Sequence, residues 1–279
     1  MLFFLKKIKH HLHKNSNWSI PNDLKLNELK GKIKTISSNV SIVKENKSDT
    51  SWANEIIEDN FYEKIFNPFG FLIQEMAFDE DNQIKNINTF EYGNSIGFCE
   101  KEIIKETKRN KTNSYRYQYL FSKNKITKWN LTSVENLRLV EYIFDSNGNI
   151  IKINKFLNYQ MPITGEIKKK LFKSIDYNKR KQIKSESKEG SLTERHSEYF
   201  YQNNKLEKIE VHSEYNLNYT KLFKYDKSEF VNSITWIRDG EELRKDKFIN
   251  DSYGNWIENK IEISNGWKLK ISRNINYYE

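Results

Sequence analysis

The sequence predicts an all-β fold. It reads as one large antiparallel meander of repeated β-hairpins, curled or spiralled, with closure towards a barrel as one way to bury its edges. A short N-terminal helix precedes it. Three observations carry this. Turn-forming segments recur at a near-constant spacing. Apolar and polar residues alternate with period two between them. The composition is rich in aromatics and poor in proline: 17 Phe, 16 Tyr and 6 Trp among 279 residues, with only 3 Pro. Such a chain has the residues to bury a core and is neither collagenous nor a disordered Pro/Gly-rich polymer.

Residues 1–23 read as a separate basic, amphipathic segment. Leu2, Phe3, Leu5, Ile8 and Leu12 share it with Lys6, Lys7, Lys9 and Lys14. Two placements suit it: a helix packed over one end of the sheet, or residues 1–14 lying on an anionic membrane surface. The β-hairpin domain is expected over 24–279.

Within that domain the turns come first, because internal repeats decide a fold before single elements do. The segments Phe66-Asn67-Pro68-Phe69-Gly70, Phe144-Asp145-Ser146-Asn147-Gly148 and Asn250-Asp251-Ser252-Tyr253-Gly254 align. Each places Asp or Asn three residues before Gly. The carboxyl or amide side chain accepts a backbone N–H two residues on, and Gly supplies the positive φ that closes the turn. Degenerate copies follow at Tyr92-Gly93, Ser122-Lys123-Asn124, Asp176-Tyr177-Asn178-Lys179, Gln202-Asn203-Asn204 and Tyr225-Asp226-Lys227-Ser228-Glu229. The centres, near 70, 94, 124, 148, 179, 204, 229 and 254, step by 24 to 31 residues. One hairpin with its connecting turn uses about 25 residues at ordinary strand lengths.

The intervals read as strands. Trp267, Leu269, Ile271, Arg273, Ile275 and Tyr277 alternate with Lys268, Lys270, Ser272, Asn274, Asn276 and Tyr278. Ile257, Asn259, Ile261 and Ile263 alternate likewise, and so do Tyr115, Tyr117 and Tyr119. Asn259 and Arg273 break otherwise apolar faces. Between hairpins, Lys108–Asn113, Ser187–Ser191 and Ile263–Trp267 are polar turns, and Asn265-Gly266 predicts a two-residue loop. About sixteen strands or more result, too many for a flat open sheet.

These residues resemble the YD-repeat class related to Rhs proteins, in the short Asn/Lys-rich form common in Bacteroidetes. The resemblance rests on Tyr225-Asp226, Phe144-Asp145-Ser146-Asn147-Gly148-Asn149, Asp251-Ser252-Tyr253-Gly254-Asn255-Trp256, Arg273-Asn274-Ile275-Asn276-Tyr277-Tyr278 and the opening run Leu29–Ile36. It implies a spiralling hairpin architecture. It implies no activity, because in this class function belongs to what the repeats enclose or bind.

The residues that could carry chemistry are few. Cys99 is the single cysteine, so neither a disulfide nor a Cys-based zinc site can form, and it reads as a buried small hydrophobe. His10, His11 and His13 sit among lysines that repel a cation, so no metal is expected. No nucleophile elbow, zinc-protease helix or phosphate-binding Gly loop occurs, and Asp79-Glu80-Asp81 carries no signal in so charged a chain. No catalytic residue and no cofactor is expected; the chain reads as a non-enzyme. The net charge, 47 − 38 = +9, contrasts an acidic stretch over Asp49–Asp81 with basic strands after it. Nucleic-acid binding is not expected, since the tyrosines beside those basic residues share one face, the sheet interior.

A protein partner is the leading expectation, with an immunity or accessory role in a polymorphic toxin system suggested by the Rhs kinship. The alternative is a glycan- or envelope-ligand-binding module, because aromatic faces stack on sugar rings. Candidate binding residues are Trp236, Trp256, Trp267, Lys169, Lys170, Arg180 and Lys181. The lack of a signal segment, lipobox or apolar span predicts a cytoplasmic location.

Overall fold

A computed structural model describes residues 29–44, 56–57, 60–79, 81–92, 99–107, 109–122, 125–130, 138–160, 167–188, 195–213 and 218–279. The expected N-terminal helix and the His10–His13 cluster lie outside the described residues.

Eighteen strands follow one another: β1 (Ile33–Lys44), β2 (Tyr62–Phe66), β3 (Leu72–Phe78), β4 (Ile84–Tyr92), β5 (Cys99–Glu106), β6 (Lys111–Ser122), β7 (Lys125–Asn130), β8 (Arg138–Phe144), β9 (Ile150–Gln160), β10 (Ile167–Tyr177), β11 (Ile183–Lys188), β12 (Arg195–Gln202), β13 (Lys205–Ser213), β14 (Tyr219–Tyr225), β15 (Val231–Arg238), β16 (Glu241–Asn250), β17 (Trp256–Ile263) and β18 (Lys268–Tyr277). Each pairs antiparallel with the next. The ring then closes, because β1 pairs with β2 through Thr35–Ser38 and with β18 from Ile33↔Tyr277 to Lys44↔Lys268. The all-β hairpin meander is therefore a closed barrel of 18 strands. Closure leaves no open edge, which a spiral would have left exposed.

The turns explain why the chain doubles back where it does. Asp145 Oδ1 accepts the backbone N–H groups of Asn147 (2.9 Å) and Asn149 (2.8 Å). Asp226 does the same for Ser228 and Phe230, and Asp251 for Tyr253 and Asn255. The Asn149 side-chain amide, then the backbone N–H groups, hold the Asp145 carboxyl below its ordinary range. The fourth position of each turn is left-handed, with φ of 78° at Gly148 and 84° at Gly254. Degenerate copies keep the conformation without the glycine: Lys181 has φ 64° and Glu229 φ 65°. Asn203 and Asn204 form a two-residue loop with φ 50° and 65°, as tolerant Asn permits.

These turns follow β2, β8, β10, β12, β14 and β16, so the described copies of the repeat share one end of the barrel. Two details differ from the sequence expectation. Asp79, read as carrying no signal, accepts from Asp81 and Gln83 and builds an equivalent turn at the opposite end. Asn265-Gly266 makes no two-residue loop. Ile263 N–H instead reaches Trp267 O across a longer turn with Gly266 alone left-handed. Asp239 and Gly240, φ 52° and 85°, supply the two-residue loop after β15.

The tyrosine before the turn has its own task. Tyr225 OH donates to Leu206 O at 2.9 Å, one hairpin back, and Tyr92 OH donates to Leu72 O at 2.8 Å. Asn250, in the equivalent place, donates from Nδ2 to Val231 O at 2.8 Å. A bulge accompanies each of these three residues, between Lys224 and Tyr225, Glu91 and Tyr92, and Ile249 and Asn250. It directs the last residue of the strand inward.

The face carrying buried Ile36, Ile261, Leu269 and Ile271 points into the barrel. Apolar packing is concentrated where the ring closes. Ile56 and Ile57, from a helical piece between β1 and β2, pack on Ile261, Ile263, Trp267, Leu269 and Ile271. Ile33, Ile36 and Phe66 form a second cluster nearer the turn end. Asn255 ties in the entering chain: its Oδ1 accepts Lys30 N–H (2.8 Å) and its Nδ2 donates to Lys30 O (2.7 Å).

The outward faces of β16–β18 carry charge. Glu258 pairs with Lys270 and Lys260, and Glu262 with Lys268 and Lys247. A band of hydrocarbon-facing strands is apolar outside; these strands face water.

The closed barrel overturns the expectation of a cytoplasmic location. That expectation relied on the lack of a signal segment, a lipobox and an apolar span, the last of these by helix arithmetic; no described helix is long and apolar enough to cross a membrane. Barrels cross with strands, so the arithmetic has no bearing on them. A closed, even-numbered antiparallel barrel is an architecture that envelope proteins use, so a cytoplasmic location does not follow.

Candidate functional site

A cavity of about 420 Å³ opens inside the barrel at the turn end, against the closing strands. Its position follows from the repeat. The residue before such a turn follows a bulge and faces inward, and Phe66, Tyr225 and Asn250, in equivalent places, all line the cavity. Phe223, Phe248 and Trp256 add to the wall, with Ile36 and Ile234 behind them. Phe248 and Trp256 lie 6.1 Å apart, centroid to centroid. Lys30 and Glu229 stand at the turn end of the lining.

The wall also carries polar groups, among them Lys30, Lys64, Glu229, Asn250, Asn255 and Arg273. Lys64 is paired with Glu75 at 3.0 Å. Arg273 is different. Its guanidinium stacks 3.3 Å from the centroid of Trp256 and lies 5.9 Å from that of Tyr62. Burial lowers its pKa, offset by Tyr62. No carboxylate among the described residues forms an ion pair with it, and its Nε is buried without a hydrogen-bond partner. The residue opposite Arg273 on β1 is Ser38, whose buried Oγ also lacks a partner. Asn259, 5% exposed, sits on the neighbouring strand with Oδ1 unpartnered. The two breaks in apolar alternation, Asn259 and Arg273, thus fall on one patch of the inner wall.

A second polar cluster lies further along the same face. Trp236 stacks on Tyr219 at 5.2 Å. Lys221 and Arg244 sit over the Trp236 ring at 3.9 and 4.8 Å. Asp246, 2% exposed, holds Arg244 Nε at 2.9 Å. Burial pushes the Asp246 carboxyl up against the pull of Arg244, and burial then Arg244 push Lys221 down to about 8.

The structure brings together only part of the expected binding set. Trp256 lines the cavity, and Trp236 belongs to the second cluster. Trp267, 4% exposed, is core. Arg180 and Lys181 are exposed on the turn after β10, where Arg180 Nη1 bonds Asn204 Oδ1 at 2.6 Å. Lys169 and Lys170 belong to the other end of β10, so the four basic residues form no joint site. Cys99 is buried, as expected, and Tyr119 OH bonds its carbonyl oxygen. Arg273 was legible as an exception to alternation; nothing in the sequence places it beside Trp256. Among the described residues no group of His, Cys, Asp and Glu is arranged to hold a metal.

No family model and no curated protein matches the chain. Among solved structures it is similar to a porin-like protein from Bacteroides uniformis, at 5% identity and TM-score 0.35, over 88% of this chain and 98% of that one. It is also similar to a chain in the TcdB2–TccC3–Cdc42 complex, at 12% identity and TM-score 0.30, over 86% of this chain but 16% of that one. Neither TM-score reaches 0.5, and neither likeness fixes an activity.

Proposed function

We propose that the chain is a non-enzymatic binding barrel that takes a small ligand into the aromatic cavity at its turn end. One observation carries this: Phe66, Phe223, Tyr225, Phe248 and Trp256 line an open cavity of about 420 Å³. That volume lies in the ordinary range of ligand pockets, roughly 300–1,000 Å³. Aromatic faces stack on planar apolar rings and on the faces of sugars. The test is fluorescence of the neutral probe N-phenyl-1-naphthylamine. The wild-type barrel is expected to enhance it, and Val231→Trp, which fills the cavity, to abolish the enhancement in a chain that still melts cooperatively. Equal enhancement by both proteins would sink the reading.

A protein partner is the second reading, in keeping with the Rhs-like repeats. It is favoured by Phe69 and Tyr253, 60% and 50% exposed on turns at the same end. The tagged chain drawn from its own cells should bring a stoichiometric partner, lost in the Phe69→Ser, Tyr253→Ser variant. Retention by that variant counts against this surface.

A further inference from the structure

We infer that the barrel interior holds a second site, away from the turn end, for an oxyanion of the sulfate or phosphate kind, and that Lys221 is the residue that binds it. None of its residues lines the aromatic cavity. The inference goes beyond the proposed ligand and does not depend on it.

The position follows from alternation. On β14, Tyr219 and Lys221 continue the face of Phe223 and Tyr225, which line the cavity, so they too point inward. On β16, Arg244 and Asp246 continue the face of Phe248 and Asn250 in the same way. Lys221 lies opposite Trp236, and Trp236 opposite Arg244. One indole thus carries two cations: Lys221 Nζ is 3.9 Å and the Arg244 guanidinium 4.8 Å from its centroid.

The charges around Lys221 do not balance. Two carboxylates act on it, and each is committed to another cation. Asp246 holds Arg244 at 2.9 Å, and Glu186 holds Lys173 at 2.6 Å. Arg244 and Arg195 push against its charge. Its remaining neighbours across β13 and β15 are Ile209 and Trp236, which bring no counter-charge. Among the described residues no carboxylate comes within ion-pair distance of Lys221 or Arg195. A cation set among other cations without a partner is costly, and an entering anion removes that cost. Lys221 is part-buried and Arg195 exposed, so an ion can reach both. Ammonium and guanidinium donors form charge-assisted bonds to separate oxygens of one oxyanion, which a halide lacks. Trp236 is covered by Tyr219, Lys221 and Arg244, so the group held is the anion itself.

Binding and protonation are linked. Burial, then Arg244, lowers Lys221 to about 8. A neighbouring anion favours the charged amine and draws a proton onto Nζ.

The experiment is calorimetric titration of the full chain with sodium sulfate at pH 8, with sodium chloride of equal ionic strength as the control. Sulfate does not titrate there, so any proton exchanged belongs to the protein. Wild type should bind sulfate with uptake of up to about half a proton, read from the heats in buffers of different ionisation enthalpy. Lys221→Met should weaken sulfate about tenfold or more and abolish the uptake. It should melt no lower than wild type, because it removes an uncompensated charge. Lys221→Arg should keep the binding, which a folding defect would not do. Phenyl phosphate binding tighter than inorganic phosphate through Lys221 assigns an ester, and equal affinity the free ion; both support the site. No binding by wild type, equal heats with chloride, or binding and uptake that Lys221→Met leaves unchanged overturns the inference. Failure of the Val231→Trp test bears on the aromatic cavity alone.

Discussion

The indole Nε1 of Trp236 donates to Oδ2 of Asp246 at 3.1 Å, while Arg244 holds the other carboxylate oxygen at 2.9 Å. A buried carboxylate is thus satisfied from two neighbouring strands, β15 and β16. Trp236→Phe keeps the stack on Tyr219 but removes a donor to a buried charge, a loss of about 1–3 kcal/mol. Urea denaturation should show the midpoint falling with the m-value unchanged.

Lys221 should give the barrel an alkaline stability slope. Its folded pKa, about 8, lies below its ordinary 10.5, because burial and Arg244 disfavour the charged form. The groups acting on it are Arg244, Arg195, Asp246 and Glu186. A depressed pKa contributes stability that is full above the unfolded value and is lost as pH falls through the folded one. Stability should therefore rise between pH 8 and 10.5, by on the order of 1–3 kcal/mol from this group. In Lys221→Met that rise should be missing from denaturation curves taken across the window.

The turns make a paired prediction. Lys181 and Glu229 hold φ of 64° and 65° where Gly148 holds 78°. Lys181→Gly and Glu229→Gly should each raise stability by up to about 1 kcal/mol, since a side chain in the left-handed region is strained. Glu229 gives up only an exposed ion pair with Lys205, worth little in water. Gly148→Ala should lower stability by about 1 kcal/mol or more. Thermal melts of the three variants test whether the positions are equivalent.

The tyrosine rivet should be worth a hydrogen bond. Tyr225→Phe removes the bond to Leu206 O and leaves that carbonyl with one partner fewer, at a cost of about 0.5–1.5 kcal/mol. Amide exchange should quicken around β13 and β14 before elsewhere.

Asn255 should control closure. Asn255→Ala breaks both bonds to the Lys30 backbone, leaving two part-buried backbone groups without this partner, a loss of about 1–3 kcal/mol in all. Exchange should rise in β1 and β18, which meet at the seam, while β6–β9 stay as protected as in wild type.

Much of this fold is local and therefore legible. Asp145, Asp226 and Asp251 bond their own turns within four residues, so their spacing could be read without knowing any partner. The alternation over Trp267–Tyr277 placed Leu269, Ile271, Arg273 and Ile275 on one face, which proved to be the inner one. Where signals shared a residue type the reading failed. Asn265-Gly266 suits two kinds of turn, and the strand register around it chose the longer one. Asp79 lay hidden in an acidic run because its role depends on Gln83 returning as a strand.

By itself the sequence determined an all-β chain of hairpins, their number to within a few strands, and the face on which the aromatics lie. Each of these depends on residues a few positions apart, so pattern alone specifies it. Only the tertiary structure decided that β1 meets β18, 229 residues apart between Ser41 and Lys270. It alone set Arg273 against Trp256 in a cavity and separated Trp267, Lys170 and Arg180 from that site. Closure depends on the summed twist and stagger of every strand, and no local pattern encodes that sum.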